Sequence, residues 1–305
     1  MQPGRDYRKG VQPHCSHLIT ETTMERKTIA IVGVGLIGGS LAIQLHEKKL
    51  SSRLIGVDAS PEHARTALER ELVDEILPLQ EAIKEADVVV LAIPVDRMTQ
   101  VLPEVLDLAD QQIVLDLGST KATLIDRIKQ HPKRGRYVAT HPMWGTENSG
   151  PQAAVRGAYE NKAVILCNTQ DSDEDAVQWV KAMYKKIGMH LLEMEAHAHD
   201  LHAAYVSHIS HITSFALANT VLEKEKEDQA IFELASAGFE STVRLAKSNP
   251  AMWVPIFLQN RDNVLDVLNE HIAQLIRFRD SIEQGNELHL QQLMEDANKI
   301  RRILK

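Results

Sequence analysis

The stretch TIAIVGVGLIGGSLAIQLHEKKLSSRLIGVD, residues 28–58, decides the fold of this 305-residue chain. An apolar run enters a glycine-rich turn at Gly33, Gly35 and Gly38, a helical pattern follows, and a second apolar run ends at Asp58. Gly33 permits the tight turn, Gly35 lets the backbone approach a diphosphate, and Gly38 lets the helix pack on the strand. The pattern therefore predicts a dinucleotide-binding unit, against the plainer alternative of an ordinary strand–helix turn.

The same stretch favours one dinucleotide. Backbone N–H groups of the turn, from Gly35 through Leu36 and Ile37 to Gly38, begin a helix whose positive end suits a diphosphate. Asp58 lies twenty residues after Gly38, where a carboxylate accepts hydrogen bonds from the ribose hydroxyls. Because that carboxylate would repel a 2′-phosphate, we expect NAD as the cofactor rather than NADP.

Composition narrows the class of partner. The chain carries 34 Lys and Arg against 42 Asp and Glu, a formal net charge of −8, with no basic run. This balance argues against nucleic acid and against an anionic membrane. No apolar run approaches the ~18–20 residues of a membrane span. Two cysteines far apart, Cys15 and Cys167, argue against a disulfide framework, and we expect a cytoplasmic protein.

The order of patterns predicts two folded units. Apolar runs predict strands at Thr28–Val34, Leu54–Val57, Val88–Ile93, Ile113–Leu117, Tyr137–Thr140, Ala163–Cys167 and Leu191–Met194, with helical patterns between them at Pro61–Glu71, Thr120–Gln130 and Asp173–Ile187. Near-continuous apolar strands separated by helices predict an α/β fold, a Rossmann-type, doubly wound and mostly parallel sheet. From about Ala196 only helical periodicity remains, with one strong break at residues 247–250.

We therefore divide the chain into a disordered leader at 1–24, an NAD-binding domain at 25–190 and an all-helical substrate and dimerisation domain at 191–305. Two alternatives stay open for the leader: an upstream start artefact before Met24, and organelle targeting by a basic cluster (Arg5, Arg8, Lys9). Long helices such as Ile256–Ile282 exceed what one small domain needs, so we expect a homodimer that buries them.

Two segments at predicted strand ends carry polar groups. Ser119 lies in the turn Asp116-Leu117-Gly118-Ser119-Thr120-Lys121, where it can cap the next helix or bond a substrate. His141 begins His-Pro-Met-Trp-Gly-Thr-Glu-Asn-Ser-Gly, residues 141–150. The carboxyl ends of parallel strands face the ligand crevice, and a histidine there can accept a proton while hydride leaves. A packed or solvated histidine is the alternative.

Two further segments lie in the helical region. His208 and His211 are three residues apart and share a helix face. Just upstream, His197, Asp200 and the histidines at 199 and 202 leave a metal site open, although no His-Glu-x-x-His pattern or nearby thiol supports it, and we expect no metal. Further along, Arg244 offers a planar fork for a carboxylate, or is a surface residue, and Trp253 can pack in the core or line a pocket.

Together these motifs resemble the prephenate dehydrogenase family, enzymes of tyrosine biosynthesis, over about residues 28–290. The specific parts are Gly-Ser-Thr-Lys at 118–121, the segment at 141–150, Ser-His-x-x-His at 207–211, and Arg-x-Ala-x-Ser-x-Pro-x-Met-Trp at 244–253. Four such matches in the same order make chance an inadequate explanation.

The resemblance implies that the enzyme oxidises prephenate with NAD+ to 4-hydroxyphenylpyruvate, CO2 and NADH. It also implies roles for six residues. His141 takes the proton of the ring hydroxyl with support from Ser119, Arg244 holds a carboxylate, His208 and His211 line the pocket, and Trp253 forms a wall. Arogenate remains an alternative substrate. A β-hydroxyacid dehydrogenase, a pyrroline-carboxylate reductase and a non-catalytic NAD-sensing scaffold remain alternative classes.

Overall fold

The computed structural model of the protein describes residues 25–226 and 229–303. The predicted leader at 1–24 lies outside the described residues. Among the described residues, no helix is both long and apolar enough to cross a membrane.

One eight-stranded sheet organises the first part of the chain, in the order β3-β2-β1-β4-β5-β6-β7-β8. The strands are β1 Lys27–Val32, β2 Ser51–Val57, β3 Glu75–Ile76, β4 Val88–Leu91, β5 Ile113–Asp116, β6 Tyr137–Pro142, β7 Ala163–Cys167 and β8 His190–Met194. All neighbouring pairs are parallel except β6 and β7, which are antiparallel. This order confirms the predicted doubly wound, mostly parallel sheet.

Helices cover both faces of the sheet, as the apolar strands require. They are α1 Leu36–Glu47, α2 Pro61–Glu69, α3 Leu79–Glu85, α4 Val95–Leu108, α5 Ala122–Ile128 and α6 Glu174–Ile187. Successive residues of β1 alternate between two cores: Ile29 and Ile31 pack with α1, α2 and α6, whereas Ala30 and Val32 pack with α3, α4 and α5. Burial on both faces explains why these strands read as continuous apolar runs.

The second part of the chain is helical. Its helices are α7 Ala196–Ala203, α8 Ile209–Glu225, α9 Ala237–Val243, α10 Pro250–Gln259, α11 Arg261–Glu283 and α12 Glu287–Asn298, and a π-helical segment, Ala204–His208, joins α7 to α8. Helix α10 packs on α4 through Val95, Trp253 and Ile256. Gln259 accepts a hydrogen bond from Thr120 at 2.8 Å and donates one to Thr99 at 3.1 Å, so the two parts are tied together at this contact.

Two local predictions are wrong, and one strand, β3, has no counterpart among the predicted strands. The continuous helix predicted at Ile256–Ile282 is broken at Asn260, whose backbone (φ −102°, ψ 29°) leaves the helical region while its side chain makes buried hydrogen bonds. The two-residue strand β3 is too short to give a periodic signal. His141, placed after its strand by the sequence, lies inside β6, because pairing with β7 extends that strand to Pro142.

The glycine turn yields a test of stability. Gly33 has φ +95°, and a Cβ there would lie 2.5 Å from the carbonyl oxygen of Ala92. We expect Gly33→Ala to lower the free energy of unfolding by roughly 1–3 kcal/mol, since a non-glycine residue strains this backbone. Gly35→Ala is the matched control, because a Cβ at Gly35 meets nothing within 4 Å. Thermal unfolding of both variants measures the difference, and equal midpoints would contradict this account of the turn.

Candidate active site

The glycine turn lies at the carboxyl end of β1, where the strand order reverses between β1 and β4. Gly35 is the N-cap of α1 and provides no side-chain cap, so the first N–H groups of that helix remain available to a ligand. A Cβ at Gly38 would collide with the carbonyl oxygen of Gly33, which explains the close helix–strand packing. Leu36 is buried and Ile37 partly buried, so both present backbone rather than side chain to the crevice.

Asp58 directly follows β2 and lies next to the glycine turn. Its carboxylate accepts hydrogen bonds from the backbone N–H of Val34 at 3.1 Å and of Ser60 at 2.9 Å. The side chain keeps 11% of its surface exposed. The acid therefore lies beside the glycine turn, at the position that a ribose-binding carboxylate occupies in this type of fold.

A buried charge pair supports the turn that follows β5. The Lys121 ammonium donates to the carboxylate of Asp116 and, at 2.9 Å, to the carbonyl oxygen of Thr140, with both charged side chains fully buried. Asp116 also accepts from the Tyr137 hydroxyl at 2.7 Å and from the backbone N–H of Gly118 at 2.9 Å. These bonds fix the turn against β6, directly before His141.

Ser119 lies in this turn and does not cap the next helix. Helix α5 begins at Ala122, and the carboxylate of Asp200 from α7 accepts the N–H groups of Lys121 at 2.8 Å and Ala122 at 2.9 Å. The capping role that the sequence allowed for Ser119 thus belongs to Asp200. Ser119 remains partly exposed at the end of β5, the strand next to His141.

His141 is buried, with 9% of its surface exposed. Its Nδ1 lies 2.8 Å from Nε2 of His199, and Nδ1 of His199 lies 2.7 Å from the carboxylate of Asp200. Burial lowers the pKa of His141 well below its usual value, and the nearby His199, Lys121 and His208 lower it further. The imidazole is therefore neutral at pH 7 and able to accept a proton.

His208 ends the π-helical segment and faces the same region. Its Nδ1 pairs at 3.1 Å with the amide of Asn260, which also donates to the backbone oxygen of Asp200 at 2.7 Å. The amide Nδ2 is a donor, so Nδ1 of His208 accepts and Nε2 carries the proton. Burial lowers the pKa of His208 to about 4. The ring contacts Trp253 edge-on, at 6.0 Å between centroids.

His211 stacks on Trp253. Its ring centroid lies 3.4 Å from that of Trp253, with 27° between the planes, and its Nδ1 lies 3.1 Å from the carbonyl oxygen of Ser207. Burial lowers the pKa of His211, and the positive charge of Arg244 lowers it further, although the bond to Ser207 opposes both. Trp253 itself is 7% exposed, so it is a buried residue rather than a surface residue.

Arg244 lies at the protein surface, beside the segment that follows β6. Its side chain is half exposed, and Nη1 donates to the carboxylate of Glu147 at 2.9 Å. The pKa of Glu147 is lowered, first by its own backbone N–H and then by Arg244. This ion pair joins the segment after β6 to the helical part. Arg244 is thus already paired with a carboxylate of its own chain.

The structure brings most of the predicted residues into one group. His141 interacts with His208, His208 contacts Trp253, Trp253 stacks on His211, and Arg244 acts on His211. The cofactor candidates form a second group at the glycine turn and Asp58. Three residues near His141 were missed as parts of the site: His199, Asp200 and Asn260. The sequence offered the first two only as metal ligands, since burial of one histidine among exposed neighbours cannot be read from spacing.

The upstream histidines do not converge. On α7, His199 is buried, whereas His197 and His202 are exposed. Within residues 25–226 and 229–303, no group of three or more His, Cys, Asp or Glu is arranged to hold a metal ion.

Comparisons with known proteins agree over both parts of the chain. Residues 41–193 match the family description "Prephenate dehydrogenase, nucleotide-binding domain", and residues 195–296 match "Prephenate dehydrogenase, dimerization domain". The chain is 33% identical to the prephenate dehydrogenase of Bacillus subtilis (strain 168) over 280 residues, which cover 90% of this chain and 76% of that protein. It is 30% identical to the cyclohexadienyl dehydrogenase of Zymomonas mobilis over 282 residues, 92% of this chain and 96% of the relative.

A solved structure is also similar. The crystal structure of prephenate dehydrogenase from A. aeolicus in complex with hydroxyphenyl propionate and NAD+ superposes with a TM-score of 0.85 at 28% identity. The superposition covers 93% of this chain and 100% of that one.

The buried histidines make stability depend on pH. The folded-state pKa of His208 is about 4 against the ordinary 6.5, so between these values the unfolded chain binds more protons and stability falls as pH falls. At about 1.36 kcal/mol per unit, the loss from this group approaches roughly 3 kcal/mol at pH 4. We expect His208→Asn to flatten the fall in unfolding free energy between pH 6.5 and 4. His202→Asn, an exposed position on α7, is the control, and identical slopes for wild type and His208→Asn would refute the assignment.

Proposed function

This chain belongs to the prephenate dehydrogenase family, and we propose on that basis that it converts prephenate to 4-hydroxyphenylpyruvate, CO2 and NADH in tyrosine biosynthesis. It is an oxidoreductase, and its cofactor is NAD. The observation that carries the specific reaction is the buried, neutral His141 near the carboxyl end of β6, close to His208, whose ring contacts Trp253.

The residues of the crevice suit NAD. Gly35 leaves open space above the N-terminus of α1 for a diphosphate, and its own N–H and those of Leu36, Ile37 and Gly38 are the donors that we propose hold it. Asp58 is the proposed acceptor for the ribose hydroxyls and the reason for a preference over NADP. When bound, NAD+ supplies the acceptor for the hydride of the substrate.

We propose His141 as the group that receives the proton of the ring hydroxyl. Its imidazole is neutral before the reaction, because burial and neighbouring positive charge disfavour the protonated form. As the ring carbon loses hydride and the ring carboxylate leaves as CO2, the oxygen becomes that of a phenol. His141 then returns the proton to this oxygen, so the base is regenerated within the cycle. Ser119, partly exposed in the turn after the adjacent strand, is the proposed second hydrogen-bonding partner of the hydroxyl.

We propose Arg244 as the clamp for a substrate carboxylate. A guanidinium has five N–H donors, and the bond to Glu147 uses one of them. Lys121 is a second cation near His141, but it is fully buried and bonded to Asp116 and Thr140, so it cannot reach a substrate. His208 and His211 line the pocket in neutral form and contribute hydrogen bonds rather than charge.

Arogenate is the alternative substrate. It differs from prephenate by an amino group in place of the side-chain keto group, and both molecules carry the ring hydroxyl on which His141 acts. The match to the family over both parts of the chain favours these two substrates over those of the other two-domain reductases. Parallel assays of NADH formation at 340 nm with prephenate and with arogenate separate the two, and NADH formation with neither would refute the proposed function.

We further propose a cytoplasmic homodimer. The helical part matches a family description that names dimerisation. Helices α11 and α12 leave large apolar side chains exposed, including Leu275 at 55%, Ile282 at 65% and Leu288 at 82%. Burial of these side chains against a second copy removes apolar surface from water. Cys167 is a buried free thiol, which suits a reducing compartment.

Arg244→Ala tests the carboxylate clamp. A bound substrate would cover the half-exposed guanidinium, and loss of a charge pair that is desolvated in this way costs about 2–5 kcal/mol. We therefore expect KM for prephenate to rise on the order of 30-fold or more while KM for NAD changes little. The matched control is Arg156→Ala, since Arg156 is also exposed and paired with one glutamate, Glu47, away from the cleft. Steady-state kinetics measures both constants, and an unchanged KM for prephenate would rule out this role.

His141→Asn tests the proton acceptor. A positioned acid–base group contributes roughly 10²–10⁴-fold, so kcat should fall within that range while NAD binding persists. The wild-type kcat/KM should decline on the acid side below pH 6.5, since the neutral imidazole is active and its pKa is lowered. That decline should be absent in the variant. His190→Asn, at the exposed start of β8, is the control. A variant that keeps wild-type kcat and the acid-side decline would place the base elsewhere.

A further inference from the structure

Three buried side chains form a hydrogen-bonded series that leads away from the proposed proton acceptor. Nδ1 of His141 lies 2.8 Å from Nε2 of His199, and Nδ1 of His199 lies 2.7 Å from Oδ1 of Asp200. Their exposed fractions are 9%, 2% and 3%. The two imidazole rings meet edge-on, at 75° between planes, which suits a bond between ring nitrogens rather than stacking.

We propose that His199 and Asp200 are positioning residues that fix the tautomer of His141 and take up the charge that His141 acquires with the substrate proton, an inference that rests on the proposed function. His199 acts through His141 and Asp200 acts through His199.

The N–H donors around Asp200 determine which atoms donate and which accept in this hydrogen-bonded series. Its Oδ1 accepts the N–H of Lys121 at 2.8 Å and its Oδ2 accepts the N–H of Ala122 at 2.9 Å, as an ionised carboxylate does. Nδ1 of His199 must therefore carry a proton to bond with Oδ1. A neutral His199 then has its lone pair on Nε2, so Nδ1 of His141 is the donor of the bond between the two rings.

The opposite direction of the hydrogen bond, from Nε2 of His199 to Nδ1 of His141, is disfavoured. If Nε2 of His199 carried the proton, its Nδ1 lone pair would face the carboxylate of Asp200 at 2.7 Å. Relief would need a proton on a carboxylate oxygen that already accepts a backbone N–H. The favoured direction leaves Nε2 of His141 with a free lone pair, and Nε2 is the nitrogen that we assign as the proton acceptor.

The same series explains how a buried histidine tolerates protonation. When the hydroxyl O–H bond breaks, an N–H bond forms at Nε2 of His141. The Nδ1 proton of His141 can then pass to Nε2 of His199, which places the positive charge 2.7 Å from the ionised Asp200. The reverse transfers return the proton to the phenolic oxygen, so no proton is gained or lost over the cycle.

Other charged or titratable groups surround His141 and bear on its charge. Three of them act on it directly: Lys121 from the β5–α5 region, His208 from the π-helical segment and His199 from α7. Two carboxylates lie behind these groups, Asp116 bonded to Lys121 and Asp200 bonded to His199. Asp116 is already engaged by Lys121. Of these two carboxylates, only Asp200 is connected to His141 through side-chain hydrogen bonds of the described residues. The connection passes through one titratable group, His199.

The first experiment needs no substrate, so it separates this inference from the proposed function. Protein with ¹⁵N-labelled histidine is studied by long-range ¹H–¹⁵N correlation at pH 7, with His141→Asn and His199→Gln used to assign their signals among the 14 histidines. We expect His141 and His199 both to be protonated at Nδ1 and bare at Nε2. Protonation of His141 at Nε2 would overturn the inference.

The second experiment is kinetic and follows a demonstration that the wild type forms NADH with prephenate. His199→Leu removes both functions of His199, and we expect kcat to fall on the order of 10²-fold or more. His199→Gln keeps a carbonyl oxygen to accept the Nδ1 proton of His141 but cannot take up a proton, so we expect kcat between those of wild type and His199→Leu. In both variants the acid-side decline of kcat/KM should move to lower pH, because neither leucine nor glutamine can take up the positive charge from His141. We expect this loss to outweigh the repulsion by His199 that the substitutions also remove.

His202→Gln, an exposed histidine of the same helix, is the matched control and should leave kcat and the pH profile unchanged. A purely structural role for His199 would lower kcat without moving the acid-side decline, and that result would overturn the inference. A kcat for His199→Leu within about twofold of wild type would do the same. The substitutions are placed on His199 because Asp200 also holds the first turn of α5.

Discussion

The sheet and the helical part are joined at Asp200, which accepts hydrogen bonds from three parts of the fold. Its carboxylate accepts the free N–H groups at the start of α5 and the imidazole of His199, while its backbone oxygen accepts the amide of Asn260 at the break between α10 and α11. A buried carboxylate is tolerated only when such donors replace water. The same bonds therefore fix the relative placement of the turn after β5, helix α7 and the α10–α11 break, and these three surround His141 and His208.

A second buried charge is compensated within the sheet. Lys121 and Asp116 are both fully buried, and their neighbours Tyr137 and Thr140 supply or accept the remaining hydrogen bonds. Removing one partner of such a pair leaves an uncompensated charge in a low-dielectric interior, typically at a cost of about 3–5 kcal/mol. The Gly-Ser-Thr-Lys turn thus has a structural requirement for its lysine, separate from any contact that Ser119 makes with a ligand.

The sequence predicted the sheet well because its strands are buried on both faces, and continuous apolar runs such as Val88–Ile93 report that burial directly. It predicted the dinucleotide crevice because Gly33 and Gly38 are required by backbone geometry that can be read from spacing. It failed at Asn260, where side-chain hydrogen bonds across the fold override helix propensity. It also failed to place His199 in the site, since three histidines at similar spacing on one helix differ only in what the rest of the fold covers.

The electrostatics of the cleft follow from this placement. Burial lowers the pKa of His141, His208 and His211, so each is neutral before a substrate arrives. Arg244 is the cation that we propose a substrate reaches, and its half-exposed position lets solvent limit the cost of keeping it charged. A proton acceptor must be unprotonated at first and stable once protonated, two demands that burial alone sets against each other. In the arrangement that we propose, Asp200 meets both demands because His199 separates it from His141. Before the reaction Asp200 raises the proton affinity of His141 only slightly, and after the charge has moved to His199 it stabilises that charge.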